Sequence, residues 1–222
     1  MNDFVLQGFL KYLVGLVIVV LLTFLPAGTV HFWNGWLFLG VVFVPMAVFG
    51  IVLFFKAPKQ LKNRLDTRET LFSQKMVVVC SAMMFIAGFI SSGFSFRFRY
   101  GRVADWLSVF AAVCYLIAYL FYVKIMRENP YLTRTVTICE NQQIIDCGCY
   151  SIVRHPMYAV SIVMFLSMAV MLGSWICLLI FLCYPILIVN RVIEEENFLR
   201  ANLEGYSDYQ KRVKYRLIPF VW

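Results

Sequence analysis

Runs of about twenty consecutive apolar residues recur along this 222-residue chain, and no other feature restricts its fold as strongly. A helix needs roughly 20 apolar residues to cross ~30 Å of hydrocarbon. Inside a bilayer each backbone N–H and C=O must be paired within the structure, so such runs predict membrane helices. They cover 9–27, 31–55, 76–96, 104–126 and 158–190. Pro26-Ala27-Gly28-Thr29 separates the first two. The last run is too long for one span, and Gly173-Ser174 predicts a turn dividing it into 158–172 and 174–192. The expected fold is therefore all-α. It is a polytopic membrane bundle of about six transmembrane helices, with a helical hairpin before a cytosolic amphipathic C-terminal helix. The chain is 62% hydrophobic and 14% charged, against about 45–50% and about 25% in soluble domains. The first run has no small-residue cleavage site before the next span, so it reads as a permanent helix. Residues 1–126 are expected to form the N-terminal spans. Residues 127–222, with the hairpin 158–192 and the tail, are expected to hold the chemistry.

Lys and Arg set the expected orientation. Lys56, Lys59, Lys62, Arg64, Arg68 and Lys75 follow the second span; Lys124, Arg127, Arg134 and Arg154 follow the fourth; Arg200, Lys211, Arg212, Lys214 and Arg216 lie in the tail. Six spans put all three groups, and both termini, on the cytosolic side of what is expected to be the cytoplasmic membrane. Arg97, Arg99 and Arg102 disagree, because they fall between the third and fourth spans on the opposite side. Either a short loop tolerates them or the span count is off by one. The net charge of +8 fits basic loops meeting anionic lipid, and no basic stripe lies on a polar helix, which argues against nucleic acid as a partner.

Seven cysteines, mostly inside apolar runs, lack the spacing of a disulfide scaffold and are expected to be reduced. Cys147-Gly148-Cys149 is too close for a zinc knuckle, and the chain has only His31 and His155, so no metal site is expected.

Two constellations carry chemistry. In the first, Gly148-Cys149-Tyr150-Ser151-Ile152-Val153-Arg154-His155-Pro156-Met157-Tyr158 leads a polar loop into a membrane helix. Proline is favoured at the first helical position, which makes His155 the cap and leaves the N–H groups of Met157 and Tyr158 near a helix end that can hold an anion. The bland alternative is a helix entrance anchored by an interfacial Arg and Tyr. In the second, Arg191-Val192-Ile193-Glu194-Glu195-Glu196 ends the last span, with Arg191 and Glu195 on one helix face. Its alternative reading is a solvated cap. Together the two suggest a zwitterionic ligand, and S-adenosylmethionine has the required carboxylate, ammonium and sulfonium. No dinucleotide or phosphate-loop motif is present.

Gly148-x-Tyr150-x-x-x-Arg154-His155-Pro156-x-Tyr158, a helical hairpin, then Arg191-x-x-x-Glu195-Glu196-x-x-Leu199 and Tyr206-x-x-Tyr209 resemble isoprenylcysteine carboxyl methyltransferase and its bacterial relatives, which resemble phospholipid N-methyltransferases. Asn129-Pro130-Tyr131 and the stretch 136–145 extend the likeness, which covers roughly 127–219. The resemblance implies S-adenosyl-L-methionine as cofactor, contacted by Gln142, Gln143, Ile144, Ile145, Tyr150, His155, Pro156, Met157, Tyr158 and Glu195. It implies that Arg191 faces the methyl acceptor, with Arg191 and Glu195 as the residues on which transfer depends. Cys149 departs from the apolar residue expected before the tyrosine.

The activity expected is methyl transfer to a lipidic, prenylated or small hydrophobic acceptor, with membrane lipids as neighbours. Carboxylate O-methylation stands ahead of phospholipid N-methylation or small-thiol S-methylation, since Arg191 suits a carboxylate. The rival from another class is a small membrane transporter or lipid-binding subunit. Transporters place ionisable groups near mid-membrane, whereas here they collect at one face.

Overall fold

The computed structural model describes residues 2–58, 60, 61, 72–133, 135, 137, 138 and 142–222. Lys59, Lys62, Arg64, Arg68, Arg134, Val136 and Cys139, which entered the charge and loop arguments, lie outside the described residues. Among the described residues run the α-helices α1 (Asn2–Ala27), α2 (Trp33–Lys56), α3 (Phe72–Phe98), α4 (Asp105–Glu128), α5 (Pro156–Met171), α6 (Trp175–Phe181), α7 (Cys183–Asn202) and α8 (Tyr206–Arg212). A 3-10 turn, Gly148–Ser151, precedes α5. Among the described residues, five segments are long and apolar enough to cross a membrane: Leu6–Ala27, Trp33–Lys56, Gln74–Phe98, Asp105–Glu128 and Trp175–Asn202. Pro156–Met171 is a shorter apolar helix. The expected polytopic helical bundle is thus present, its last two spans forming the hairpin.

The hairpin turn lies where the sequence places it. Gly173 takes φ 76, a conformation that only glycine adopts without strain, and Asn34 occupies the space a Cβ would need. Ser174 then caps α6 by accepting from the Cys177 N–H at 3.2 Å. The sequence reading did not foresee the break between α6 and α7. Pro185 has no N–H and crowds the carbonyl of Phe181, so the helical ladder cannot run unbroken through Leu182. The tail also differs from a separate amphipathic helix. α7 carries on from the membrane to Asn202, Gly205 at φ 79 ends that direction, and α8 is a short independent piece.

Lipid supplies no hydrophobic force between helices, so close approach has to come from small residues and dispersion. Gly88 of α3 leaves room for Phe181, and Gly93 lets the α1 backbone at Thr23 and Ala27 come against α3. Phe85 then packs edge-on against both Phe165 and Phe181. Outward-facing apolar residues such as Leu25, Phe55, Trp106 and Leu120 remain exposed, as a lipid-facing surface requires.

The two ends of the bundle differ. At one end the turns 28–32, 99–104 and 172–174 meet. There the Val103 N–H donates to Gly173 O (3.0 Å), the Trp175 N–H to Gly101 O (2.8 Å), and Arg102 bridges Ser174. At the other end lie the foot of α4, the 3-10 turn, the start of α5, the foot of α7, α8 and the tail. Arg97, Arg99 and Arg102 therefore sit at the end remote from both sequence constellations, as a six-helix count requires.

Candidate active site

The start of α5 and the foot of α7 meet, and they do so through charge. Glu196 is 1% exposed, and its carboxylate accepts from Arg154 Nε at 2.6 Å and from Arg216 Nε at 2.9 Å. The ring nitrogen Nε2 of His155 lies 3.3 Å from the same carboxylate. Arg154, itself buried, also donates to the carbonyls of Val213 (2.7 Å) and Lys214 (2.9 Å). A buried carboxylate is tolerated only when paired and hydrogen-bonded, and Glu196 is both. It thereby ties three segments together: the RHP motif, α7 and the tail.

Glu195, one residue earlier on α7, points to a different side. It accepts from the Tyr158 hydroxyl at 2.5 Å, while Arg191 Nε donates to that hydroxyl at 2.8 Å. Arg191 and Glu195, four apart on one helix face, are therefore linked through a phenol contributed by α5. His155 stacks on Tyr158 with ring centroids 5.8 Å apart, and its Nδ1 lies 3.9 Å from Glu195.

The helix start at Pro156 is formed as the motif demands, with His155 at the cap and proline in the first turn. The Tyr158 N–H turns to the His155 carbonyl at 3.1 Å. Ahead of the helix, the N–H groups of Arg154 and His155 donate to Tyr215 O and Arg216 O, both at 2.9 Å. The extended tail covers this end, an arrangement that 3.6-residue periodicity cannot reveal.

Around these groups lies a cavity of about 560 Å³. Gln142, Gln143, Ile144, Ile145, Tyr150, His155, Met157, Tyr158, Arg191 and Glu195 all line it. Pro156, buried at the first position of α5, is not among the lining residues. The wall also includes residues that the sequence reading did not reach. Val77, Val78, Ser81, Ala82 and Phe85 of α3, with Phe165, Tyr184 and Ile188, form an apolar side. Their only signal was membership of membrane spans, which does not say which face turns inward. The polar side is closed by the strap 142–147. Ile144 packs into a small cluster with Tyr206, Tyr209, Val213, Leu199 and Leu203, and Arg212 pairs with Asp146 at 2.9 Å.

The 3-10 turn that carries Tyr150 is held from two sides. Glu128 at the end of α4 accepts from the Cys149 N–H at 2.8 Å and fills the space beside Gly148, whose φ is 59. The Tyr209 hydroxyl donates to Tyr150 O at 2.7 Å. Burial, with the neighbouring Glu128 carboxylate, pushes the Cys149 thiol above its ordinary pKa, so it remains neutral. Burial likewise raises the Tyr206 hydroxyl, with Glu196 and Glu195 adding to the shift.

Residues 108–201 match the isoprenylcysteine carboxyl methyltransferase (ICMT) family, a span that contains the 3-10 turn, the RHP motif, the hairpin, Arg191, Glu195 and Glu196. The fold is similar to that of the eukaryotic intramembrane Ras methyltransferase ICMT, with TM-score 0.52, 16% identity, and coverage of 98% of this chain and 85% of that one. No curated protein matches. Residues 108–201, which carry the site, are thus similar to the isoprenylcysteine carboxyl methyltransferase family and indicate a methyltransferase of that kind, and the membrane-helix fold is shared across nearly the whole chain.

Proposed function

We propose that the cavity binds S-adenosyl-L-methionine on its polar side and transfers the methyl group to a hydrophobic acceptor that reaches Arg191 from the apolar side. The observation that carries this reading is that Arg191, Tyr158 and Glu195, joined by hydrogen bonds, line the same cavity as the strap 142–145 and the apolar face of α3. The donor set suits this cofactor. Glu195 offers a carboxylate to a cationic group, Gln142 and Gln143 offer amides, and Ile144, Leu199 and Leu203 offer an apolar surface for a flat ring. When bound, the cofactor supplies an electrophilic methyl on a sulfonium.

The residues then have mainly to position the acceptor and exclude water, which is where catalysis of an in-line displacement comes from. Arg191 holds a carboxylate by charge-assisted hydrogen bonding, and a carboxylate ionised at neutral pH needs no general base. Tyr158 fixes the Arg191 guanidinium through its hydroxyl and couples it to Glu195. His155, buried between the Glu195 and Glu196 carboxylates, keeps the two ends of the network in register. The positive-inside rule supports a cytosolic position for this end, where Lys56, Lys75, Lys124, Arg127, Arg200, Lys211, Arg212, Lys214 and Arg216 collect.

Two measurements test this. Glu195→Ala is expected to weaken S-adenosylmethionine binding, measured by calorimetry in detergent, whereas Arg191→Ala removes turnover and leaves cofactor affinity near wild type. Equal cofactor affinity in wild type and Glu195→Ala refutes the role given to Glu195. Incubation with methyl-labelled cofactor and a lipid extract should place the label in the lipid fraction in a base-labile form, as a methyl ester. Base-stable label would mean N- or S-methylation, and label found only in water-soluble products would refute the hydrophobic acceptor.

A further inference from the structure

The arginines that disturb the charge pattern form no ion pair among the described residues. Among the described residues, no side-chain hydrogen bond or ion pair is made by Arg97, Arg99 or Arg102, although Asp105 follows three residues after Arg102. Arg97 lies against the Gly28 turn and over Phe98, and Arg102 lies 5.4 Å over the Phe96 ring, which itself packs on Phe32. Two guanidinium groups thus flank the α1–α2 turn, and all three side chains are exposed. The backbone beneath them is held by the bonds from Val103 to Gly173 and from Trp175 to Gly101. Trp36, Trp106 and Trp175, each within the first four residues of a helix that starts at this end, are 56%, 72% and 45% exposed. Exposed tryptophans gather at the headgroup level of a bilayer. The exposed tryptophans thus put the arginines near headgroup depth, and no carboxylate of the described residues pairs with them.

We propose that Arg97, Arg99 and Arg102 bind the phosphate of an anionic lipid headgroup in the leaflet opposite the active site. Guanidinium groups recognise phosphate through paired N–H donors, and the apolar rim of Phe98, Tyr100 and Trp106 meets the acyl chains. Such a lipid neutralises a basic loop on the side where membrane proteins usually avoid one. The inference does not depend on the cofactor or the acceptor.

The test is native mass spectrometry of the full-length protein after equilibration with phosphatidylglycerol and phosphatidylcholine in equal amounts. Wild type should retain phosphatidylglycerol in preference. A cationic residue near a charged headgroup contributes roughly fivefold in affinity. Arg97→Gln/Arg99→Gln/Arg102→Gln should therefore lower that affinity on the order of 100-fold while leaving phosphatidylcholine retention unchanged. Arg97→Gln/Arg99→Gln preserves the Arg102–Phe96 contact, guards against misfolding, and should lose roughly 25-fold. Lys211→Gln/Lys214→Gln at the other end should have no comparable effect. Unchanged phosphatidylglycerol affinity in both arginine variants overturns the proposal. So does displacement of the lipid by millimolar inorganic phosphate, which would show a site for free anions.

Discussion

Neutralising Glu196 tests the central structural claim, that one buried carboxylate joins the RHP motif, α7 and the tail. Glu196→Gln keeps the side-chain shape but removes the charge that faces Arg154 at 2.6 Å and Arg216 at 2.9 Å. Breaking a buried pair by removing one partner costs about 3–5 kcal/mol, because the other charge is left unpaired. Two features place this case near the lower bound. Arg154 keeps its bonds to the Val213 and Lys214 carbonyls, and the Arg216 side chain is 32% exposed and can rehydrate. At about 2–4 °C per kcal/mol for a chain of this size, a loss of about 3 kcal/mol lowers the midpoint by about 6–12 °C. The assay is thermal unfolding of the purified protein in detergent, read by intrinsic fluorescence. Glu194→Gln is the comparison, since Glu194 is only partly buried and accepts from Gln74 at 3.2 Å. A midpoint for Glu196→Gln within 2 °C of wild type, a difference below about 1 kcal/mol, would falsify the reasoning. Arg154→Met with Glu196→Leu adds a second condition. Replacing both partners by apolar groups should recover at least half of the lost stability, since no unpaired charge remains.

Further outcomes follow from other parts of the site. Gly148→Ala places a Cβ on Glu128 and a non-glycine residue at φ 59. The left-handed conformation alone costs roughly 1–2 kcal/mol, so a fall of about 2–8 °C is expected, together with weaker cofactor binding. A saturating cofactor should raise the midpoint: at 100 times Kd the stabilisation is about 2.7 kcal/mol, or about 5–11 °C, and no shift would count against a cofactor cavity. The raised Cys149 thiol should alkylate slowly at pH 8, with the rate rising only as pH passes the elevated pKa, and Glu128→Gln should move that rise to lower pH. Peptide mapping separates Cys149 from the exposed Cys147, and equal rates at the two would contradict the burial argument. Asp146→Asn removes a surface pair whose side chains are 43% and 63% exposed, so its effect on cofactor affinity should stay within about fivefold and vanish at high salt.

How much of this could be read in advance depended on the range of the interaction. Apolar runs long enough to cross a bilayer, Gly173-Ser174 as a hairpin turn, and His155-Pro156 as a helix start are local in sequence, and each appears in place. The residues brought to one cavity, from Gln142 to Glu195, were legible because a motif resemblance links distant segments that periodicity cannot. Glu196 belonged to the quoted motif but not to the expected site, because three adjacent carboxylates look alike until their neighbours are known. On a helix each successive residue turns about 100°, so Glu195 meets Tyr158 while Glu196 meets Arg154, Arg216 and His155. The tail capping the RHP helix, and α3 supplying the apolar wall, were likewise invisible, since both are pairings of segments far apart along the chain. The sequence by itself determined that the chain spans a membrane and where its hairpin turns, because bilayer thickness and backbone pairing act on each segment alone. Only the tertiary structure decided which carboxylate is buried and which faces the cavity, because burial is set by the partners that a side chain meets.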